Sequence, residues 1–270
     1  MNEQNAIVNP DGTSMSLVEK LVNVITAPSA VFAQIREKVT WQDWLIPFLV
    51  AVVFVGVSGI VSAPYNLEMT KSAMKAQQEN FMQRDMPQEQ KESMQERFQE
   101  QVEKQEARYS PPKVYYWSFL RALGGIGVAV MILAGLYFFS GNTIIGGEAK
   151  FPQILAVVSL PQMVKVIESL YNMLFIGITK NADVPASLAV ILPYSPENFM
   201  RLEKFQQALY TLLSQINVFT VWRLALFTIG FSIIYKVSKG KSSAVVFGLW
   251  ALWLLITTAG TFLFAGFAGS

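Results

Sequence analysis

Residues 44–63 read WLIPFLVAVVFVGVSGIVSA, a run without a single charged side chain. The hydrocarbon core of a bilayer is roughly 30 Å thick and is crossed by about 20 helical residues. Trp44–Ala63 matches that length. Four further runs are long and largely apolar: Tyr116–Ser140, Phe151–Thr179, Asn217–Val237 and Ser243–Phe267. In lipid the backbone must satisfy its own hydrogen bonds, so only helices or closed barrels span. None of the runs alternates polar and apolar residues as a barrel strand does. The expectation is an all-α polytopic membrane bundle of five transmembrane helices.

Composition agrees. Of 270 residues, 52% are hydrophobic and 15% charged, with a mean hydropathy of +0.36. The charges concentrate in Asn66–Lys113, which holds eight lysines and arginines and nine acids. The net charge of +2 is too small to imply a nucleic-acid partner. Cysteine and histidine are absent, which removes disulfides, Cys and His metal ligands, and Ser–His or Cys–His catalysis. No paired carboxylates or nucleophile elbow occur either. Neither an enzyme nor a cofactor, metal or catalytic site is expected. The polar start MNEQNAIVNPDGTSM lacks a basic segment followed by an apolar one, so the first span is expected to act as the insertion signal.

Residues 1–43 form an N-terminal amphipathic segment. Leu17, Leu21, Val22 and Ile25 make one stripe of a short helix, which Ser14 or Ser16 caps and Thr26-Ala27-Pro28 ends. Pro28 suits the first turn of a second helix carrying Val31, Phe32 and Ile35. Trp41 and Trp44 lie where indoles favour the headgroup level. The segment either lies on the membrane, anchoring or docking a partner, or simply leads into the first span.

The remainder, 44–270, is a five-span membrane domain interrupted by a charged insertion at 66–113. The insertion is rich in helix formers and has one proline, Pro87, before Pro111-Pro112. Pro87 divides it into two arms, with Asp85 as a cap for the second. Leu67, Met74 and Phe81 recur every seven residues in the first arm. Met94, Phe98 and Val102 recur every four in the second. Two stripes of this kind pair as an extramembrane helical hairpin, or the arms extend the neighbouring membrane helices, or the segment is a solvated loop. These six residues are the candidate docking surface. Glu92, Glu96 and Glu100 at like-charge spacing weaken the second arm slightly.

Gly141–Lys150 reads as a tight connection and not as a phosphate loop, since no GK[ST] occurs. Pro161 predicts a break in the third run, because it lacks an N–H and clashes with the carbonyl of Val157. In Lys180–Gln215, Ser195-Pro196-Glu197 is a helix start. The stripe Phe199, Leu202, Phe205, Leu209, Leu212 and Ile216 then suits a helix lying on the membrane surface or packing against the other loop.

Ionisable groups inside spans are costly and suggest function. Lys165 and Glu168 are three apart on one helix and Arg223 lies in the fourth run. With Pro161, Gln162 and Asn172 nearby, they make either a polar intramembrane site for an anionic head group or solute, or a structural ion-pair network, with Arg121 snorkelling to the interface. Small residues such as Gly56, Gly59, Gly124, Gly125, Gly127 and Gly260 permit close helix packing, and a homo-oligomer stays open.

The loop YKVSKGK, with Lys236, Lys239 and Lys241, is the densest short basic stretch. The positive-inside rule places it in the cytoplasm. Five spans then put the N-terminus inside and the C-terminus outside. The mixed charges of 66–113 oppose this, because the rule counts lysine and arginine and largely ignores acids.

TAPSAVFAQIREKVTWQDWLIPFLVA, with Pro28, Phe32, Trp44 and Pro47, resembles the leading segment of bacterial Yip-domain proteins. GGEAKFPQILAVVSLPQMV resembles their internal segment, in which a glycine-rich turn precedes Phe151 and a Leu160-Pro161 pair follows. Trp222, Gly230 and Lys236 fit the fourth-span pattern. The resemblance covers most of the chain except 66–113. It implies a five-span bundle with a cytoplasmic N-terminus in the bacterial inner membrane, and offers no catalytic residues. Eukaryotic relatives associate with Rab-type GTPases and vesicle traffic, and some bacterial relatives accompany ABC-type exporters. The expected function is that of a non-enzymatic membrane protein that organises or assists a membrane complex, with 66–113 as docking arm and membrane lipid and protein partners, ABC-type exporter components among them. The alternative is a transporter or lipid-handling protein using the polar groups near Pro161.

Overall fold

A computed structural model describes residues 15–82, 87–180, 186–192 and 203–264, with backbone alone at positions 73, 76, 77, 80, 81 and 264. Its helices are α1 (Leu17–Thr26), α2 (Pro28–Glu37), α3 (Gln42–Met82), α4 (Gln88–Tyr109), α5 (Lys113–Phe139), α6 (Phe151–Ser159), α7 (Met163–Thr179), α8 (Lys204–Ser214), α9 (Val218–Tyr235) and α10 (Lys239–Phe264). Five stretches are long and apolar enough to cross a membrane: Gln42–Ser72, Lys113–Ile144, Phe151–Thr179, Val218–Tyr235 and Lys239–Leu263. The protein is an all-α, polytopic integral membrane protein. It divides into two compact units, the first from the described part of Met1–Val55 with Ala122–Ser169 and Val218–Trp253, the second from Gly56–Arg121, Leu170–Asn217 and the described part of Leu254–Ser270.

The first unit is organised by its N-terminal helices. Ser16 Oγ accepts from Glu19 N at 3.3 Å and Ser16 N donates to Glu19 Oε2 at 2.6 Å, a reciprocal cap that starts α1. Pro28 opens α2 in its first turn. Val31, Phe32 and Ile35 are fully buried, and α2 packs on α9 and α6. A Cβ on Gly230 of α9 would stand 3.0 Å from Val157 Cγ1 and 3.1 Å from Phe32 Cε1, so glycine is what lets three helices meet there. Gln153 adds a polar tie: its Nε2 donates to Arg36 O at 2.8 Å and its Oε1 accepts from Lys150 N at 2.8 Å.

The expected α1 stripe is rotated. Val22 is 58% exposed, whereas Lys20 and Val24 are buried. Lys20 Nζ donates to Asp43 Oδ1 at 2.7 Å, and Asp43 Oδ2 accepts from Thr40 N at 2.7 Å and Thr40 Oγ1 at 2.9 Å. A paired lysine can occupy a buried position that an unpaired one could not.

The connection after α5 is wound as a π turn over Ser140–Ile144. Asn142 bridges it, donating through Nδ2 to Ala149 O at 3.0 Å and accepting through Oδ1 from Ala149 N at 3.1 Å. Gly146 takes φ +78, a left-handed conformation that suits glycine. The Tyr235 ring covers Gly141 and Gly147, and its hydroxyl donates to Tyr137 O at 3.4 Å. Tyr137 in turn meets Phe227 and Phe231 edge-on. Ser242 Oγ donates to Thr228 O at 2.6 Å and ties α10 to α9.

In the second unit, α3 does not stop at its apolar run. It continues to Met82, and α4 runs from Gln88 to Tyr109. The first arm is therefore an extension of the first membrane helix. Pro87 stands one residue outside α4, as its cap; the expected cap, Asp85, lies outside the described residues. Lys71 and Glu106 form an ion pair between the arms. Arg108 stacks 4.9 Å from the Trp117 ring centroid, joining the end of α4 to α5. A Cβ on Gly56 would stand 2.6 Å from the Phe119 ring, so α3 and α5 approach closely.

The expected helix start at Ser195-Pro196-Glu197 lies outside the described residues, as do Phe199 and Leu202. The described helix, α8, begins at Lys204, where Glu203 N donates to Gln206 Oε1 at 3.0 Å. Its buried residues are Gln207 and Ala208, while Phe205 is 68% exposed. Leu209, Leu212 and Ile216 of the apolar stripe are half-buried. Leu188 N donates to Ile216 O at 2.9 Å, and Gln215 Nε2 donates to Thr257 Oγ1 at 2.7 Å, fixing the approach to α9.

Candidate functional site

Pro161 interrupts the third span as expected. Leu160–Gln162 is a 3₁₀ turn between α6 and α7, and it packs on α1 and α9. Gln162 Nε2 donates to Val158 O at 2.9 Å, supplying a second donor at the break. Gln162 Oε1 and Ser159 Oγ, both buried, have no hydrogen-bond partner among the described residues. Gln162, Lys165 and Ser169 follow at three- and four-residue spacing and share one stripe of the helix. Ser169 is buried, and Lys165 and Glu168 are half-buried.

Arg223 enters from α9, half-buried, with Nη2 donating to Thr220 Oγ1 at 3.3 Å and Nε unpartnered. Lys165, Glu168 and Arg223 lie within electrostatic range of one another. Yet among the described residues no carboxylate oxygen comes within 4.0 Å of either cation. The expected i,i+3 pair is not closed. Lys165 precedes Glu168, which is the less favourable order on a helix. What results is two cations and one anion, a net +1, with free donors in a setting of low dielectric. Arg121 is exposed and belongs to the other unit.

The six candidate docking residues divide differently. Met94 and Val102 are half-buried and Phe98 is 8% exposed, so this stripe is largely covered within the second unit. Leu67 and Met74 are half-buried on the first arm, and the Phe81 side chain lies outside the described residues. Glu92, Glu96 and Glu103 are exposed and fall within 40° of one another by helical geometry, on the side of α4 opposite Phe98. The open face of the arm is therefore acidic.

The sequence model of the Yip1 domain matches residues 22–260, from within α1 to within α10. The chain belongs to the Yip1-domain family. No curated protein and no solved structure matches it significantly. Within this Yip1 domain, the residues that carried the resemblance are mostly packing residues. Phe32 and Leu160 are fully buried, and Gly230 forms the close approach between α2, α6 and α9. Pro161 is the exception, since the turn it makes carries the unpartnered Gln162.

Sequence reasoning missed the Lys20–Asp43–Thr40 cluster, which joins α1 to the start of α3. It also missed Tyr235 seated over Gly141 and Gly147. The only signals for the latter were three glycines and an asparagine in GNTIIGG, which mark a turn but not the ring that covers it.

Proposed function

We propose that this Yip1-domain protein organises or assists a membrane complex without catalysing a reaction, and that 66–113 is its docking arm. One observation carries the reading: the arm is a built structure with an open acidic face. It continues the first membrane helix, its return strand of helix is held by Lys71–Glu106 and by Arg108 on Trp117, and its apolar stripe is largely covered. Glu92 and Glu96, one turn apart, repel each other by a few tenths of a kcal/mol on an isolated helix. A partner presenting lysine or arginine removes that cost and gains from it. Components of an ABC-type exporter are the partner class that the resemblance suggests. The basic YKVSKGK loop supports a cytoplasmic N-terminus and an external arm in a bacterial inner membrane.

The test is co-purification in mild detergent from the native membrane. Replacing Glu92, Glu96 and Glu103 together by lysine leaves the Phe98 side untouched and should release a partner that wild type retains. Deleting 66–113 should do the same while the five spans stay inserted. Unchanged co-purifying proteins with both folded variants would sink the docking role.

A further inference from the structure

We propose that Lys165 and Arg223 hold the phosphate of an anionic phospholipid. The site goes beyond the docking role and does not involve the arm. Its groups come from the first unit alone: Gln162, Lys165 and Glu168 from the broken third span, Arg223 from α9.

Three observations converge. The first is the charge imbalance. Lys165, Arg223 and Glu168 lie within electrostatic range of one another, two cations to one carboxylate, and neither cation has an ion pair among the described residues. Inside a membrane-spanning segment an uncompensated positive charge is costly, and one negative group is what removes it. The second is unfilled donor capacity. Among the described residues, Arg223 Nε is shielded from solvent and has no partner, and its Nη2 donates to Thr220 Oγ1 of its own helix. A guanidinium offers five N–H groups in a fork that fits phosphate oxygens, and an ammonium offers three more. The third is the break at Pro161. It leaves Gln162 Oε1 buried and unpartnered, an acceptor suited to a hydroxyl beside the phosphate.

The balance also chooses between sources of phosphate. Lys165, Arg223 and Glu168 sum to +1. A phosphodiester carries one negative charge and neutralises the set. A free phosphate or phosphomonoester carries about −1.5 to −2 at neutral pH and overshoots. The diester of a glycerol-headed lipid such as phosphatidylglycerol satisfies both the charge and the hydroxyl acceptor, and it reaches a site between membrane helices from the bilayer itself.

Native mass spectrometry of the full chain decides this. Protein in mild detergent is offered phosphatidylglycerol, phosphatidylcholine or inorganic phosphate at equal concentration. Wild type should retain phosphatidylglycerol at least tenfold more than phosphatidylcholine, and should not retain inorganic phosphate. Lys165→Glu with Glu168→Lys keeps the net charge but moves the cation by nearly one turn, and should lose at least tenfold of that retention at unchanged thermal stability. Arg223→Lys keeps the charge and loses the fork; it should also fall about tenfold, and it serves if the reversal does not fold. Equal retention of the two lipids, retention of inorganic phosphate alone, or full retention by a folded variant would each overturn the assignment.

Discussion

Removing the Asp43 carboxylate should loosen α1 more than removing the Lys20 ammonium does. Asp43 is 1% exposed and accepts three hydrogen bonds, one from Lys20 Nζ at 2.7 Å and two from Thr40. In Asp43→Ala the ammonium of Lys20 stays buried without a counter-charge, and the start of α3 loses an acid near its positive end. Breaking a buried pair in this way costs about 3–5 kcal/mol. In Lys20→Met the methionine fills much of the same space. Asp43 then keeps both Thr40 bonds and its place in the first turn, so the loss is nearer that of one charge-assisted hydrogen bond, about 1.5–3 kcal/mol. The double variant should cost less than the two singles added, because the unpaired charge is then gone. The chain has no cysteine, so Val24→Cys supplies a single reporter at a fully buried position on α1. If α1 opens and closes faster than the thiol reacts, maleimide labelling tracks the opening equilibrium. Asp43→Ala should then speed labelling by about 100- to 3,000-fold, at 1.4 kcal/mol per tenfold, and Lys20→Met by roughly 10- to 100-fold. Equal acceleration by the two variants, or strict additivity in the double, would refute the reasoning.

Gly141→Ala should lower the thermal stability of the detergent-solubilised protein by a few degrees, since a Cβ there falls on the Tyr235 ring and overpacking costs about 1–3 kcal/mol; Gly124→Ala, where a Cβ meets nothing within 4 Å, should cost nothing. Equal melting temperatures for the two variants would show that the ring moves aside freely. Single cysteines at Gln90 and Ser238, both exposed, should react with an impermeant reagent on opposite sides of the membrane, Gln90 outside and Ser238 only after lysis. The reverse pattern would invert the proposed orientation.

Much of the fold was legible because a bilayer imposes a length. Trp44–Ala63 could hardly be anything but a span, and the break expected at Pro161 is present, although Pro64 leaves α3 whole. The apolar stripes of the arm were legible as well. That the first arm continues α3 was not, because nothing between Ser62 and Leu67 distinguishes a helix that ends from one that goes on. Pro64 invites a break, but the helix crosses it, with Asn66 Nδ2 donating to Ser62 Oγ at 3.0 Å. Where sequence reading failed, a distant partner had overruled local pattern. Val22 belongs to an apolar stripe by spacing, but Asp43, twenty-three positions from Lys20, turns the lysine inward.

The same limit bears on the charged residues, where sequence offered two readings and could not choose. A lysine in an apolar helix is either paired for structure or held ready for a ligand, and the difference is a distance that no spacing rule supplies. Lys20 sits on the amphipathic first helix in a closed, buried pair with Asp43, so its charge is already used. Lys165 looked like half of an i,i+3 pair with Glu168. It stands within range of both Glu168 and Arg223 without a closed ion pair among the described residues, in a group of three that keeps one positive charge and an unpartnered guanidinium nitrogen. Pairing explains the first lysine completely and leaves the second unexplained. A bound phosphodiester accounts for that remainder, which is why the cation without a partner, and not the cation that is more deeply buried, marks the place to look for function.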